Sequence, residues 1–393
     1  MNEISNSNIE YDLLAKIQAE KRPEERKNYD LYHLSRNPFP KAGIAPQDPK
    51  VFKFDRKSFK AIMDTISDSY VNNQFGGTVI LGEYGMGKTH TLRYIAQEIN
   101  RQLGNLSTDA AIAIYLKNPR SSMAEMVSGL YDGIGKERLK SLIKEPILAD
   151  SGLAAEIAKA DLVKYGQRKI YETIGDDQTA ELLAIFAFGD PPNCDYAWDA
   201  IMGAVRKGLP KVKEIRPEQY INSFFALLRS RGFKHTYVLV DEFEDLPGSA
   251  LTVTKKREYA VGLRNLIDSN LKGFSLIIAS NNSPWDVIKG LLPPLVDRFG
   301  LTIRLNNLTE EESCDLIAGY LQTAAEEERS DLLVPFTKEA VALINKEEDG
   351  VRRFILQRCY ELIEQGAANS WEKISEDEVR RVSVKNFEHL GTS

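Results

Sequence analysis

Residues 82–89 read Gly82-Glu83-Tyr84-Gly85-Met86-Gly87-Lys88-Thr89, the pattern GxxxxGK[ST] in full, between an apolar run at 78–81 and a helical run at 91–103. The three glycines let the backbone fold back, so that consecutive N–H groups and the amino end of the next helix converge on one anion. Lys88 adds a point charge for phosphate oxygens and the Thr89 hydroxyl is a ligand for magnesium. The stretch from Gly82 through Met86 to His90 is therefore expected to hold the phosphates of ATP with Mg2+.

A second chemical group follows the apolar run 237–240, where Asp241-Glu242 ends a strand. That is the carboxyl edge at which an open parallel sheet places its ligands. Asp241 is expected in the magnesium shell, directly or through water. Glu242, one residue on, polarises a water for attack on the γ-phosphate. The competing reading is a surface acidic cluster, because Glu244 and Asp245 come next. A strand of four apolar residues downstream of a full phosphate loop favours the chemical reading.

These residues need a sheet to carry them. Apolar runs at 78–81, 111–116, 237–240, 275–279 and 301–305 read as five strands, the first four apolar enough to be covered on both faces. Helical stretches alternate with them, which gives an α/β sandwich around a five-stranded parallel sheet. About 120 residues separate the second strand from the third, far more than a crossover helix needs. Segments 154–164, 180–188 and 196–205 look helical, so a helical insertion is expected at about 120–220. After residue 306 the sequence turns wholly helical, with capping boxes at Thr309/Glu312 and Ser375/Glu378. The expected organisation is an N-terminal arm at 1–50 with a helical segment at 8–20 and an extended entry, a nucleotide-binding α/β domain at 51–306, and an all-α domain at 307–393.

Composition narrows the function classes. The 393 residues carry 51 basic and 57 acidic side chains, a net charge of −6, with 42% hydrophobic residues, the proportions of a globular protein. Nothing reads as a membrane span or secretory signal, and Cys194, Cys314 and Cys359 are few and scattered, so a cytoplasmic protein without disulfides is expected. The four histidines share no ligand spacing, which argues against structural zinc. An acidic chain is not coated in charge for nucleic acid, although Lys255-Lys256-Arg257 makes a local basic run.

Adjacent metal-binding and base roles after an apolar strand resemble the AAA+ ATPases, and further positions match that family in order. Asn281, in Ser280-Asn281-Asn282 after the fourth strand, corresponds to the polar sensor residue. The run 292–300, Leu-Pro-Pro-Leu-Val-Asp-Arg-Phe-Gly, is similar to the arginine-finger region of RuvB-type Holliday-junction motors, clamp loaders and origin-recognition initiators. There Arg298 would reach the γ-phosphate held by a neighbouring subunit. Gly350-Val351-Arg352-Arg353 resembles the second sensor, with Arg353 at the matching spacing and Arg352 as the alternative. The aromatic run Phe52-Lys53-Phe54 falls where relatives contact adenine, and Asn118 where some members restrain the catalytic Glu. The basic run 255–257 falls in a loop that ring ATPases turn toward the central channel; the competing reading is an exposed helix start.

The resemblance implies ATP hydrolysis, a homo-oligomer, and DNA as a partner through Lys255, Lys256 and Arg257. Two features depart from it. About forty residues follow Arg353, so the winged-helix domain of origin initiators is not expected in this chain, and the helical insertion is no part of the minimal fold. The sequence GEYGMGKTH with the DEFED strand end also looks like P-loop proteins of phage-defence loci and, less closely, regulators of transposition. An ATPase of a DNA-associated complex is thus one expectation. A nucleotide-gated scaffold that recruits an effector protein without DNA is the other.

Overall fold

The computed structural model describes residues 29–43, 56–106, 109–119, 122–149, 159–203, 217–248, 251–291, 293–327 and 330–382. Among these, 56–306 form one compact unit and 29–43 with 307–382 form another.

In the first unit five parallel strands, β1 Gly76–Leu81, β2 Ala110–Leu116, β3 Phe233–Val240, β4 Phe274–Ser280 and β5 Leu301–Arg304, lie in the order β2-β3-β4-β1-β5. Every residue of β1 and β4 is buried, as apolar strands covered on both faces must be, whereas β5 buries only Ile303 and runs along the edge. Helix α1 (Arg56–Val71) precedes β1 and α2 (Lys88–Gln102) follows it. The chain leaves β1 and skips two places to reach β2, so the carboxyl ends of β3, β4 and β1 lie side by side. At such a reversal an open sheet offers a crevice.

Among the described residues, six helices come between β2 and β3: α3 Met123–Ile134, α4 Lys136–Ala149, α5 Lys159–Ile174, α6 Asp177–Phe188, α7 Pro191–Ile201 and α8 Pro217–Ser230. Side-chain caps start three of them, with Ser122, Asp176 and Asp190 accepting from backbone N–H groups three residues on. Tyr131 packs against Phe224 and Tyr220 at 4.8 and 5.1 Å between ring centroids. This insertion shares one hydrophobic core with the sheet residues Val79, Ile112 and Val238. It is therefore an enlargement of the nucleotide unit's core.

Helices α9 (Val253–Ser269) and α10 (Asn282–Leu291) flank β4 in sequence. Behind β3 and β4, the His235 imidazole is buried against the Ser275 hydroxyl at 2.8 Å, and burial pulls its pKa down to about 4, so it is neutral at physiological pH.

The second unit is built on α11 (Glu310–Gln322), α12 (Lys338–Glu347) and α13 (Arg352–Asn369), with further helical residues at 376–382. Both expected capping contacts are present: Thr309 and Glu312 bond each other's backbone N–H, and Glu378 accepts from the Ser375 N–H. One expectation is corrected here. Residues 29–43 are not an extended entry into the nucleotide unit; they belong to the helical unit, where Tyr32, Leu34 and Phe39 enter its core. The cause is their apolar content, with Phe39 stacked on Tyr320 at 5.8 Å and edge-on to Phe336 at 6.0 Å. The expected helix at 8–20 and the aromatic run at 52–54 lie outside the described residues.

Candidate functional site

The phosphate loop joins β1 to α2. Gly85 and Gly87 have φ of 85° and 90°, left-handed conformations that a side chain would strain, and Gly87 is the N-cap of α2. Lys88, Thr89 and His90 then form the first turn, the end of a helix that favours an anion. The Lys88 ammonium is buried and surrounded by oxygen. It donates to the Gly82 carbonyl at 2.7 Å, to the Glu83 carbonyl at 3.3 Å and to Asn281 Oδ1 at 2.7 Å, with Glu244 Oε1 at 4.0 Å. Burial lowers its pKa, and the carboxylates of Glu244 and Asp241 oppose that shift.

Asn281 stands just past β4, and β4 pairs with β1 in register from Gly76 opposite Ser275 to Leu81 opposite Ser280. This pairing brings the Asn281 amide to Lys88. The neighbouring β3 ends at Val240 and presents Asp241, which is buried. Its Oδ2 accepts from the Tyr115 hydroxyl at 2.8 Å and its Oδ1 from the Glu242 N–H at 2.9 Å.

Glu242 is left-handed, with φ of 47°, a conformation that costs a non-glycine residue about 1 to 3 kcal/mol. Flanking hydrogen bonds hold it there: the Asp241 N–H donates to Leu116 O at 2.9 Å and the Phe243 N–H to Ala279 O at 3.0 Å. The outcome is a half-buried carboxyl beside Asp241, its pKa raised first by burial and then by Asp241, against Lys117 and Arg93. Strain of this kind clusters at functional sites.

Two groups near the loop carried no sequence motif. Tyr115 is the penultimate residue of an otherwise apolar strand, and its hydroxyl donates to Asp241 while the Arg93 guanidinium lies 5.3 Å above its ring. A polar tip at the ligand edge of an apolar strand was the available signal. Glu83, Asn282 and Arg304 form a chain beside the loop, with Asn282 donating to Glu83 Oε1 at 2.7 Å and accepting from Arg304 at 2.6 Å. Arg304 sits opposite Leu81 across the β1–β5 pair, a register that sequence spacing does not reveal.

The donor set suits a nucleotide with magnesium. Among the described residues no group of three or more His, Cys, Asp and Glu could cage a metal, whereas Mg2+ is commonly held by one or two carboxylates together with substrate phosphates. Thr89, in the first turn of α2, and Asp241, just past β3, are the residues that would hold it. Replacing Tyr115 by Phe is expected to raise the Mg2+ concentration for half-maximal nucleotide binding roughly tenfold, the usual effect of removing a group that orients a metal ligand, without changing metal-free binding. A titration with a fluorescent ATP analogue measures this, and an unchanged Mg2+ midpoint would count against the role given to Tyr115.

Within the nucleotide unit, Arg298 is not gathered at this edge. Arg298 lies by the amino end of β1, where a Cβ on Gly77 would meet the Arg298 carbonyl oxygen at 2.5 Å. At about 3.3 Å per residue, Gly77 is roughly 16 Å from the start of the loop at Gly82. The Arg298 guanidinium pairs with Asp268, not with its sequence neighbour Asp297. Arg353 belongs to the helical unit, half-buried against Gly43 at the start of α13, while Arg352 is buried. Asn118 lies in the bend after β2. The basic run is not a loop: Thr252 caps α9 through the Lys255 N–H, so Lys255, Lys256 and Arg257 occupy its first turns, with Lys255 and Arg257 exposed.

No protein-family model matches the chain. A stretch of 109 residues is 31% identical to an uncharacterised HTH-type transcriptional regulator of Methanocaldococcus jannaschii, over 28% of this chain and 26% of that protein. The chain thus spans about a quarter of that relative. Among solved structures it is similar to the Aeropyrum pernix ORC2 protein, determined as ADPNP–ADP complexes, with a TM-score of 0.53 and 11% identity over 86% of this chain and 70% of that one. It is also similar to the Aeropyrum pernix ORC1 protein in complex with DNA, with a TM-score of 0.50 and 12% identity over 88% and 68% of the two chains. The fold is that of the AAA+ P-loop ATPases and resembles the origin-recognition initiators.

Proposed function

We propose that the chain is a magnesium-dependent ATPase that hydrolyses ATP at the subunit interfaces of a homo-oligomer and so drives assembly or remodelling of a DNA-associated complex, of the mobile-element or phage-defence type. The observation that carries this reading is the convergence of Lys88, Asn281, Asp241 and Glu242 on the adjoining carboxyl ends of β1, β4 and β3. Lys88 and the loop N–H groups bind the triphosphate, and Asn281, already bonded to Lys88, registers the γ-phosphate. Magnesium held by Thr89 and Asp241 supplies charge neutralisation across the phosphate oxygens. Glu242 accepts a proton from the attacking water. Arg298, remote from its own loop, serves the site of a neighbouring subunit.

For the DNA partner, support comes from the exposed cations at the start of α9 and from the fold shared with a protein solved in complex with DNA. Among the described residues no helix is long and apolar enough to cross a membrane. The test is ATP hydrolysis against protein concentration, with and without duplex DNA, at low and physiological salt. DNA should stimulate the rate, with a steeper than linear dependence on protein. Changing Lys255, Lys256 and Arg257 together to Ala should abolish that stimulation, since each lost phosphate contact flattens the salt dependence by about 0.9 in log–log slope. A rate indifferent to DNA would favour the second reading, a nucleotide-gated scaffold recruiting an effector protein. Full stimulation in the triple variant would move the DNA contact elsewhere.

A further inference from the structure

Arg298 is not a free surface cation. Its Nε donates to Asp268 Oδ1 at 2.8 Å and its Nη2 to Asp268 Oδ2 at 3.3 Å. This is the side-on pairing of a guanidinium with a carboxylate, and it uses one hydrogen from each of two nitrogens. Of the five guanidinium donors, both on Nη1 and the second on Nη2 stay unused by this pair and project from the opposite end of the fork. Those are the donors that fit a phosphate's paired oxygens.

Asp268 is itself held in place. It lies one residue from the end of α9, and Arg264, one turn earlier on that helix, approaches its Oδ2 at 3.4 Å. The carboxylate thus sits between two guanidiniums, and its pKa is lowered chiefly by the Arg298 hydrogen bond, while that of Arg298 is raised by the same contact. Arg298 comes from the turn after Pro293–Val296, so the pair ties that turn to α9. Both side chains are about one-third exposed, and Asp268 also lines an open groove of about 970 Å³ with Met123, Glu125 and Asn265. A neighbouring subunit therefore has access to the pair.

We infer that Asp268 is a positioning residue for Arg298: it clamps one edge of the guanidinium so that the other edge is presented, already oriented, to the γ-phosphate of the adjacent subunit. The inference rests on the intersubunit role proposed for Arg298. An exposed ion pair contributes little to stability, whereas a long side chain fixed before assembly has less rotamer entropy to lose when the transition state forms. Arg264 keeps the clamp from turning toward solvent.

The experiment compares steady-state ATP hydrolysis, nucleotide affinity and thermal midpoint for Asp268→Ala, Asp268→Asn, Arg298→Ala and the double variant Asp268→Ala/Arg298→Ala. Asp268→Ala should lower kcat roughly tenfold to a hundredfold, the range for a lost charged hydrogen bond or a misplacement of about 1 Å. KM for ATP and the thermal midpoint should stay as in the native protein. Asp268→Asn, which keeps an acceptor for Nε, should recover part of the loss, and the double variant should be no slower than Arg298→Ala alone. Mixed with Lys88→Ala subunits, Asp268→Ala subunits should regain activity as Arg298→Ala subunits do. A native or faster rate for Asp268→Ala overturns the clamp, as do losses that multiply in the double variant. If Arg298→Ala alone hydrolyses ATP normally, the finger reading fails and the clamp with it. If Arg298→Ala is inactive while Asp268→Ala is native, only the clamp fails.

Discussion

Subunits carrying Arg298→Ala and subunits carrying Lys88→Ala should each lose ATP hydrolysis, and a mixture of the two should regain part of it. Removing an arginine that stabilises transferring phosphoryl charge costs P-loop enzymes roughly 10³ to 10⁵ in rate, and Lys88 stands at the centre of the phosphate loop. The prediction of rescue follows from where Arg298 sits. Its backbone abuts Gly77 at the amino end of β1, while the loop follows Leu81 at the other end, so within one chain the Arg298 backbone and the loop lie at opposite ends of a strand. A head-to-tail assembly brings the amino-end surface of one subunit toward the carboxyl-edge site of the next. On random mixing about one quarter of such heterologous interfaces pair a native Lys88 with a native Arg298. Recovery should follow that fraction and vanish on dilution below the assembly concentration. Absence of recovery at every ratio, with assembly shown by sedimentation, would remove Arg298 from the chemistry.

The legibility of this site in the sequence varied with how local its determinants are. Gly82 to Thr89 is contiguous, its glycines dictated by backbone conformation and its Lys-Thr pair by the ligand, so eight consecutive letters carry it. The four apolar strands were readable because a strand covered on both faces has no polar alternation, and Asp241 marks where one of them stops. Asn281 needed the order of strands as well, since only the β1–β4 pairing brings it to Lys88. Tyr115, Arg304 and Asp268 were not visible. Each acts through a partner 126, 22 or 30 residues away, and no periodicity encodes such a contact. Residues 29–43 misled for a related reason. Their prolines and turns read as a linker, while Tyr32, Leu34 and Phe39 are core residues of a unit whose other members lie almost 300 residues later. For the basic run 255–257, open between a loop and an exposed helix start, the Thr252 cap decides for the helix.

Glu242→Gln should bind ATP and assemble as the native chain does, with hydrolysis lowered roughly 10² to 10⁴-fold, the contribution of a positioned general base. Glutamine keeps the volume and the left-handed backbone and removes only the ability to take a proton. The environment makes this residue the better base of two neighbours. Burial and Asp241 raise the Glu242 pKa, which brings a carboxylate closer to the strength that proton abstraction near neutral pH requires. A base must be ionised to act, so the native rate should fall on acidification at a pH above the ordinary glutamate range, and the residual rate of the Gln variant should lack that limb. Glu244 is the competitor, since its pKa is also raised by burial and its Oε1 lies 4.0 Å from the Lys88 ammonium. The rise in its pKa, however, is opposed by Lys88 itself, and it stands two residues beyond the strained position that the β3 and β4 hydrogen bonds hold. Glu244→Gln should therefore weaken retention of Lys88 and alter ATP affinity more than kcat. Single-turnover hydrolysis with saturating ATP separates the two. Normal chemistry in Glu242→Gln together with its loss in Glu244→Gln would transfer the base to Glu244 and leave the strain at Glu242 without a catalytic purpose.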